Sequence, residues 1–428
     1  MNKPLCIISC AIDTVSGYGS RSRDVVKSLL KIKGEEWDIK ILSQRWGNTP
    51  MGALDLGNDE DHELKKLIVT HLDKKPEVWI QITIPSEFQP IGYRNIGITA
   101  GIETNLCAPS WIEGCNRMDL VLTSSEHSKR VFDESKYEQK DQNGNLINVI
   151  ELKKPVEVLL EGCDVNKYFK TDSAIDYKIY DDISSIPEDF LFLIVGHWLP
   201  GEFGEDRKNI GYTLKAFLEV FKNKGKKVAL VIKTSQGTSS IIDQNTILEK
   251  INNIYRTVKG NVIPNIYFIH GEISDESMNC LYNHPKIKAM ISLTKGEGFG
   301  RPLLEFSFIG KPIIASGWGG QLDFLDPKLC GLVGGKLDNV HPSAQVKDML
   351  MGEAKWFRPD DQQVGFALKD IYENYKKYVP KAMKLSAINQ QNFNMGVMTD
   401  KLKVYLDKYI PSFPVVQKLV LPKLKKIE

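Results

Sequence analysis

Short apolar runs recur along the chain at strand length, each followed by a stretch with helical spacing. In the first part they fall at residues 5–12, 38–42, 78–84, 95–100, 119–123 and 156–160. Aliphatic and β-branched runs of this length without polar alternation read as strands buried on both faces. Their alternation with helical segments predicts parallel sheet joined by crossover helices. The pattern restarts at 190–195, 228–233, 266–269, 289–293, 312–315 and 331–333, which predicts a second α/β domain. Residues 163–189, between the two series, are polar and poor in apolar periodicity, and read as the linker and the entry to the second domain. The polar stretch YEQKDQNGNL, 137–146, reads as a surface loop. From Gln362 the apolar positions Phe366, Leu368, Ile371 and Tyr375, and later Leu402, Tyr405 and Leu406, take helical spacing. The expected organisation is an α/β domain over 1–170, a second over 171–395, and a helical segment over 396–428.

A chain of 428 residues is long enough for two moderate domains that share a cleft. The balance of 56 Lys and Arg against 54 Asp and Glu leaves a net charge of +2, which excludes the strongly basic profile of a dedicated nucleic-acid coat. The seven cysteines are odd in number, scattered and without C-x-x-C spacing, so they predict reduced, buried thiols and a cytoplasmic setting. The run at 5–12 ends at Asp13 with no small-residue cleavage site after it, and reads as a first strand and not a signal segment. No stretch has the length of a membrane span. Any contact with a membrane surface would fall to a patch such as the Lys-rich 416–428. The sequence carries no signal for oligomeric state.

Two glycine-rich turns hold the candidate chemistry. The first, SGYGSRSRDVVKSLL from Ser16, follows the first strand. Gly17 and Gly19 can bring backbone close to a ligand, Ser20 can cap the following helix, and a helix start favours an anion. The dinucleotide fingerprint is incomplete: Ser22 stands at its third glycine, and the second strand runs into Gln44 and Arg45 without the expected acidic residue. That argues against an NAD enzyme and leaves either an anion-binding loop or a simple chain reversal. Arg21 and Arg23 read equally well as solvated helix residues.

The second turn is SLTKGEGFGRPLLEF, Ser292 to Phe306. A strand ends near Leu293, glycines at 296, 298 and 300 permit an unusual backbone path, and Arg301-Pro302 starts a helix. Free amides at that start suit a diphosphate. Two carboxylates, Glu297 on the loop and Glu305 about a turn into the helix, would repel an anion but suit the hydroxyls of a sugar and a ribose. A nucleotide sugar supplies both.

Glu297, seven intervening residues and Glu305, with Gly-Phe-Gly inside, resemble the signature of the glycosyltransferase family 4 group. The segments GKPIIASGWGGQLDFL, VEVLLEGCDVNKYF, DRKNIGYTLKAF, LTSSEHSKRVF and the SGYG loop extend the likeness over both domains. The resemblance implies a GT-B architecture: an α/β chain of two facing Rossmann-like domains with parallel sheets, the donor mainly on the second and the acceptor mainly on the first. It also implies retention of anomeric configuration, a nucleoside-diphosphate sugar, with uridine as the expected nucleoside, as co-substrate, no cofactor and no metal. Carried over by position, Glu297 contacts the donor sugar and Glu305 holds the ribose hydroxyls. The amides of Gly298, Phe299, Gly300, Arg301, Pro302 and Leu303 mark the sugar and phosphate segment, proline itself lacking an N–H. Lys208 falls at the phosphate-binding lysine, Gly17, Tyr18 and Gly19 at the loop over the diphosphate, and Lys233 at a strand end beside them.

Two positions depart from the family pattern. His197 stands where many members carry an arginine, a place Arg207 can fill from the neighbouring loop. Gly101 and Glu103 stand where many carry a histidine, and Glu103 either orients an acceptor hydroxyl or caps the next segment. His127, after a helix cap at Ser125, reads as structural or solvated and is not assigned to catalysis. The stretch 79–119 is similar to glycosyltransferases encoded by tailed phages, which adds a hydroxymethylated pyrimidine of DNA to a glycan or small hydroxyl compound as the acceptor. Arg21, Arg23, Arg45, Trp46 and Arg94 would then face DNA. The alternative of another class is a catalytically silent GT-B protein that only binds sugar nucleotides.

Overall fold

A computed structural model describes residues 3–56, 59–225, 227–411 and 413. The Lys-rich stretch 416–428 lies outside the described residues.

The first sheet has seven parallel strands in the spatial order Ile68–Val69, Asp38–Ser43, Leu5–Cys10, Val78–Ile82, Arg94–Ile98, Leu120–Thr123 and Val156–Val158. The second has six, also parallel, in the order Ile266–His270, Val228–Thr234, Phe190–Val195, Ile287–Ser292, Ile313–Ser316 and Gly331–Val333. Helices cover both faces, so central strands such as FLFLIV are apolar at successive positions and do not alternate. In each sheet the order reverses beside the first strand of its series. Loops leaving the carboxyl ends of Phe190–Val195 and Ile287–Ser292 therefore emerge side by side, at the kind of switch point where α/β sheets bind ligands.

Two polar segments have more structure than the sequence reading assigned. Residues 137–146 belong to an antiparallel hairpin, Tyr137–Lys140 with Leu146–Ile150, whose turn is tied by Asp141 accepting the amides of Asn143 and Asn145 at 2.8 Å each. Within 163–189, Asp176 caps a helix, Tyr177–Ser184, whose Ile183 is buried.

The C-terminal helices are Asp361–Glu373, Tyr375–Asn392 and Met395–Tyr409. The last returns to the first domain: Thr399 and Ser28 hydroxyls meet at 2.9 Å, and the Tyr405 hydroxyl donates to the Val158 carbonyl at 3.0 Å. The two crossings between domains pair directly, Cys163 N–H donating to the Phe393 carbonyl at 2.8 Å and Met395 N–H to the Cys163 carbonyl at 3.2 Å. All seven cysteines are free and six are buried. Among the described residues no helix is long and apolar enough to cross a membrane.

Candidate functional site

The site begins with the two neighbouring loops at the second sheet's switch point. Residues 196–209 form no regular element and bend at Gly201, Gly204 and the left-handed Asn209 before helix Ile210–Phe221 begins. They bring Lys208 to 2.5 Å from Glu297 and Arg207 to 3.4 Å from the same carboxylate. Arg207 also donates to the Gly296 carbonyl at 2.9 Å and lies 3.6 Å from Glu103, which comes from the first domain. Burial alone would push the Glu297 carboxyl up, but Lys208 and Arg207 outweigh it and hold it below the usual carboxylate range. Lys208 is lowered by burial, against the pull of Glu297. The net result is a charged cluster of two cations and two carboxylates spanning the domain boundary.

Immediately after Glu297 the backbone is left open. Gly300, at a φ of 101°, is the N-cap of helix Arg301–Phe308 and offers no side-chain cap. Among the described residues, no acceptor takes the amides of Gly298, Phe299, Gly300 or Arg301. Successive unpaired amides at a helix start form an anion site. The side chains of Phe299 and Leu303 are buried, and Phe299 packs against Phe324 at 5.1 Å, so these two residues face a ligand only through backbone.

Glu305 is as buried as Glu297, at 7% exposure each, yet its environment acts in the opposite direction. Its carboxylate accepts from Arg301 Nε at 3.0 Å and from the Tyr282 hydroxyl at 3.5 Å. Burial raises its pKa to about 7, with Arg301 offsetting only part of the rise. The Arg301 side chain belongs to both domains: it meets Asp24 at 2.5 Å and Glu161 at 3.8 Å in addition to Glu305.

The domains touch across this site, and glycine permits it. A Cβ on Gly296 would lie 1.8 Å from the Glu103 carbonyl oxygen, and one on Gly298 would lie 2.2 Å from that of Ala100. The Ser124 hydroxyl donates to the Gly298 carbonyl at 3.2 Å, and Glu126 N–H to Asp323 at 2.9 Å. His127 is buried edge-on against Trp318 at 4.6 Å; burial, then Arg130, brings its pKa down to about 4, so it is neutral.

The first glycine turn differs from the sequence reading. The helix cap is Ser16, not Ser20: its hydroxyl accepts the Gly19 amide at 3.0 Å, and the helix runs Gly17–Lys33. Gly19 is needed because a Cβ there would sit 2.0 Å from the Thr14 carbonyl oxygen of the same turn. Tyr18 is buried, its ring 3.9 Å from Trp46 and its hydroxyl accepting from Ala100 N–H at 3.2 Å, so its side chain belongs to the first domain's core. Gly17 faces open space. Arg21 and Arg23 are not solvated helix residues. Arg21 is 1% exposed and donates to the carbonyls of Leu159 and Leu160, and Arg23 donates to those of Ile12 and Thr14. Lys233 lies at the end of Val228–Thr234, in register with Val195 at the base of the 196–209 loop, without a side-chain partner among the described residues. His197 meets the Ser235 hydroxyl at 3.0 Å, and its pKa is lowered first by burial and then by Lys208.

Residues without a recognisable sequence signal complete the site. Asp24, Glu161, Glu205 and Lys295 act through partners distant in sequence, and only Lys295 falls inside the quoted glutamate motif.

No protein-family profile matches the chain, and no curated protein matches it. Solved structures do. HepE of Anabaena in complex with UDP-glucose superposes with a TM-score of 0.60 at 12% identity, over 95% of this chain and 100% of that one. Sucrose-phosphate synthase of Thermosynechococcus elongatus gives 0.60 at 11% identity, over 95% and 99%. A UDP-forming α,α-trehalose-phosphate synthase of Burkholderia xenovorans in complex with glucose-6-phosphate gives 0.61 at 12% identity, over 94% and 100%. At such identities the likeness speaks for architecture: this chain has the GT-B fold, two Rossmann-like domains with parallel sheets facing one cleft.

Proposed function

We propose that the chain transfers a glycosyl unit from a nucleoside-diphosphate sugar, uridine-linked, to an acceptor hydroxyl. One observation carries the reading: Arg207 and Lys208 converge on Glu297 beside four amides that are unpaired among the described residues, at the switch point of a GT-B fold. Breaking the sugar–phosphate bond leaves negative charge on the diphosphate. Oriented amides and two cations in a buried cleft stabilise that charge most where it develops. Glu297 serves a sugar hydroxyl, Glu305 the ribose hydroxyls, and Glu103, facing from the first domain, the acceptor hydroxyl. HepE bound to UDP-glucose and the UDP-forming trehalose-phosphate synthase support the choice of uridine. Retention of configuration, independence of metal and a cytoplasmic setting are carried by the resemblance in the motif and by the cysteine pattern. A glycan or small hydroxyl compound is the acceptor class in this reading. DNA is not favoured, since Arg21 and Arg23 are turned inward and Trp46 packs at a tilt against Tyr18.

The test is slow donor hydrolysis across a panel of nucleotide sugars, read as nucleoside-diphosphate release, with and without chelator. Release from one donor that is insensitive to chelator and lost in Glu297→Ala supports the reading. Tight nucleotide binding without release, even with acceptors supplied, would favour a silent GT-B binding protein. No binding at all would overturn the site.

A further inference from the structure

Lys295 is 2% exposed, an unusual place for a lysine. It pairs with Glu205 at 2.6 Å and lies 4.8 Å from the centre of the Trp356 ring. Glu205 is also held by Arg358 at 3.2 Å, and Arg358 by Asp338 at 3.1 Å, which ties the pair to the hairpin Gly335–Asn339 with Lys355–Pro359. The backbone of the same segment grips the same loop. Lys295 N–H donates to the Arg207 carbonyl at 2.8 Å, the Thr294 hydroxyl to that carbonyl at 3.0 Å, and the Arg207 guanidinium returns a bond to the Gly296 carbonyl.

The loop needs such a clamp. Residues 196–209 have no ladder of their own and bend at glycines with φ of 145° at Gly201 and 72° at Gly204. Glu205 lies two residues before Arg207, and Lys295 two before Glu297, so one ion pair fixes the spacing between the cations and the carboxylate from behind. A buried pair adds little net stability compared with an apolar pair of similar volume, but it has one geometry, which suits a device for register.

We propose that Lys295 is a positioning residue: through Glu205 it holds the 196–209 loop so that Arg207 and Lys208 stand ready for the donor diphosphate. The diphosphate part rests on the functional reading above. The wild type, Lys295→Arg, Lys295→Met and Lys295→Met/Glu205→Met are compared for thermal midpoint, UDP affinity, donor KM and kcat, and amide exchange over 199–208. Lys295→Met leaves Glu205 with Arg358 as its one cation among the described residues, so it loses stability as well as affinity. The double apolar variant should regain the midpoint yet keep UDP binding about tenfold weaker and loop exchange faster, while Lys295→Arg recovers most of both. A double variant with wild-type UDP affinity and a protected loop would show a purely structural pair and overturn the proposal. If the wild type binds none of UDP, GDP or ADP, the functional reading fails and takes the diphosphate role with it. Loop exchange still decides the clamp, and unchanged exchange in both Met variants overturns it.

Discussion

Two glycine-rich turns carry the chain from strand to helix at the cleft, and they use their glycines differently. At the first, the turn closes on itself: Ser16 caps the helix, Gly19 fits under the Thr14 carbonyl, and Tyr18 is locked into the first domain. At the second, Gly300 offers no side-chain cap, the amides of 298–300 are unpaired among the described residues, and Gly296 and Gly298 are pressed against carbonyls of the opposite domain. Glycine spacing alone does not tell these apart, because backbone freedom serves a turn, a ligand or a neighbouring domain equally well. What distinguishes the second turn is charge. Two carboxylates of equal burial lie on either side of its amides, one clamped ionised by cations and the other raised by burial to about 7.

Substitution of that charge should have the largest effect. Glu297→Ala is expected to lower kcat by roughly 100- to 1,000-fold while donor KM moves little, since its hydroxyl contact and its hold on Lys208 matter most in the transition state. Steady-state kinetics with the identified donor reads this, and wild-type turnover would remove Glu297 from the site.

Glu305→Ala should act on binding instead. Loss of charged hydrogen bonds to the ribose predicts a donor KM about 10- to 100-fold higher at nearly constant kcat. A change confined to kcat would break the division of labour between the two glutamates.

The raised carboxyl gives a pH test whose two signs oppose each other. Glu305 prefers its neutral form in the folded chain, so its contribution to stability is full below the unfolded value of about 4.3 and lost as pH rises through about 7. Ribose hydroxyls donate best to the ionised form, so donor binding weakens as pH falls below about 7, by up to tenfold per unit. Donor KM measured from pH 5.5 to 8.5 should show this in the wild type and lose it in Glu305→Gln. An unchanged profile in the variant would assign the titration elsewhere.

The first turn supplies the smallest effects. Gly19→Ala forces a Cβ onto the Thr14 carbonyl and should cost about 1–3 kcal/mol of stability, seen as a lower thermal midpoint, with UDP affinity of the folded protein unchanged. Gly17→Ala meets nothing within 4 Å and should stay within about 0.5 kcal/mol. Loss of UDP affinity in either one would show that this turn acts on the donor, as the motif resemblance implies.

Much of the architecture was legible because its signal is local. A run such as FLFLIV or VALVIK has nowhere to go but the interior of a parallel sheet, and the twelve apolar runs all correspond to strands of the two sheets. The hairpin at Tyr137–Ile150 was also legible in principle, since Asn143-Gly144 between polar strands is a turn signal; the lack of apolar alternation hid it. The cap at Ser16 was displaced to Ser20 because both serines flank the same glycines, and only the path of the Thr14 carbonyl decides which one starts the helix.

The sequence by itself determined the α/β layering, the order of strands and helices, and a glutamate pair set around a glycine-rich helix start. The tertiary structure alone decided what those glutamates face. Arg207 and Glu297 are 90 residues apart, and Arg301 and Asp24 are 277 apart in different domains. Periodicity reports which face of an element is buried, a property of neighbouring residues. Ion pairs across a cleft depend on sheet order and domain closure, which no short stretch of chain contains.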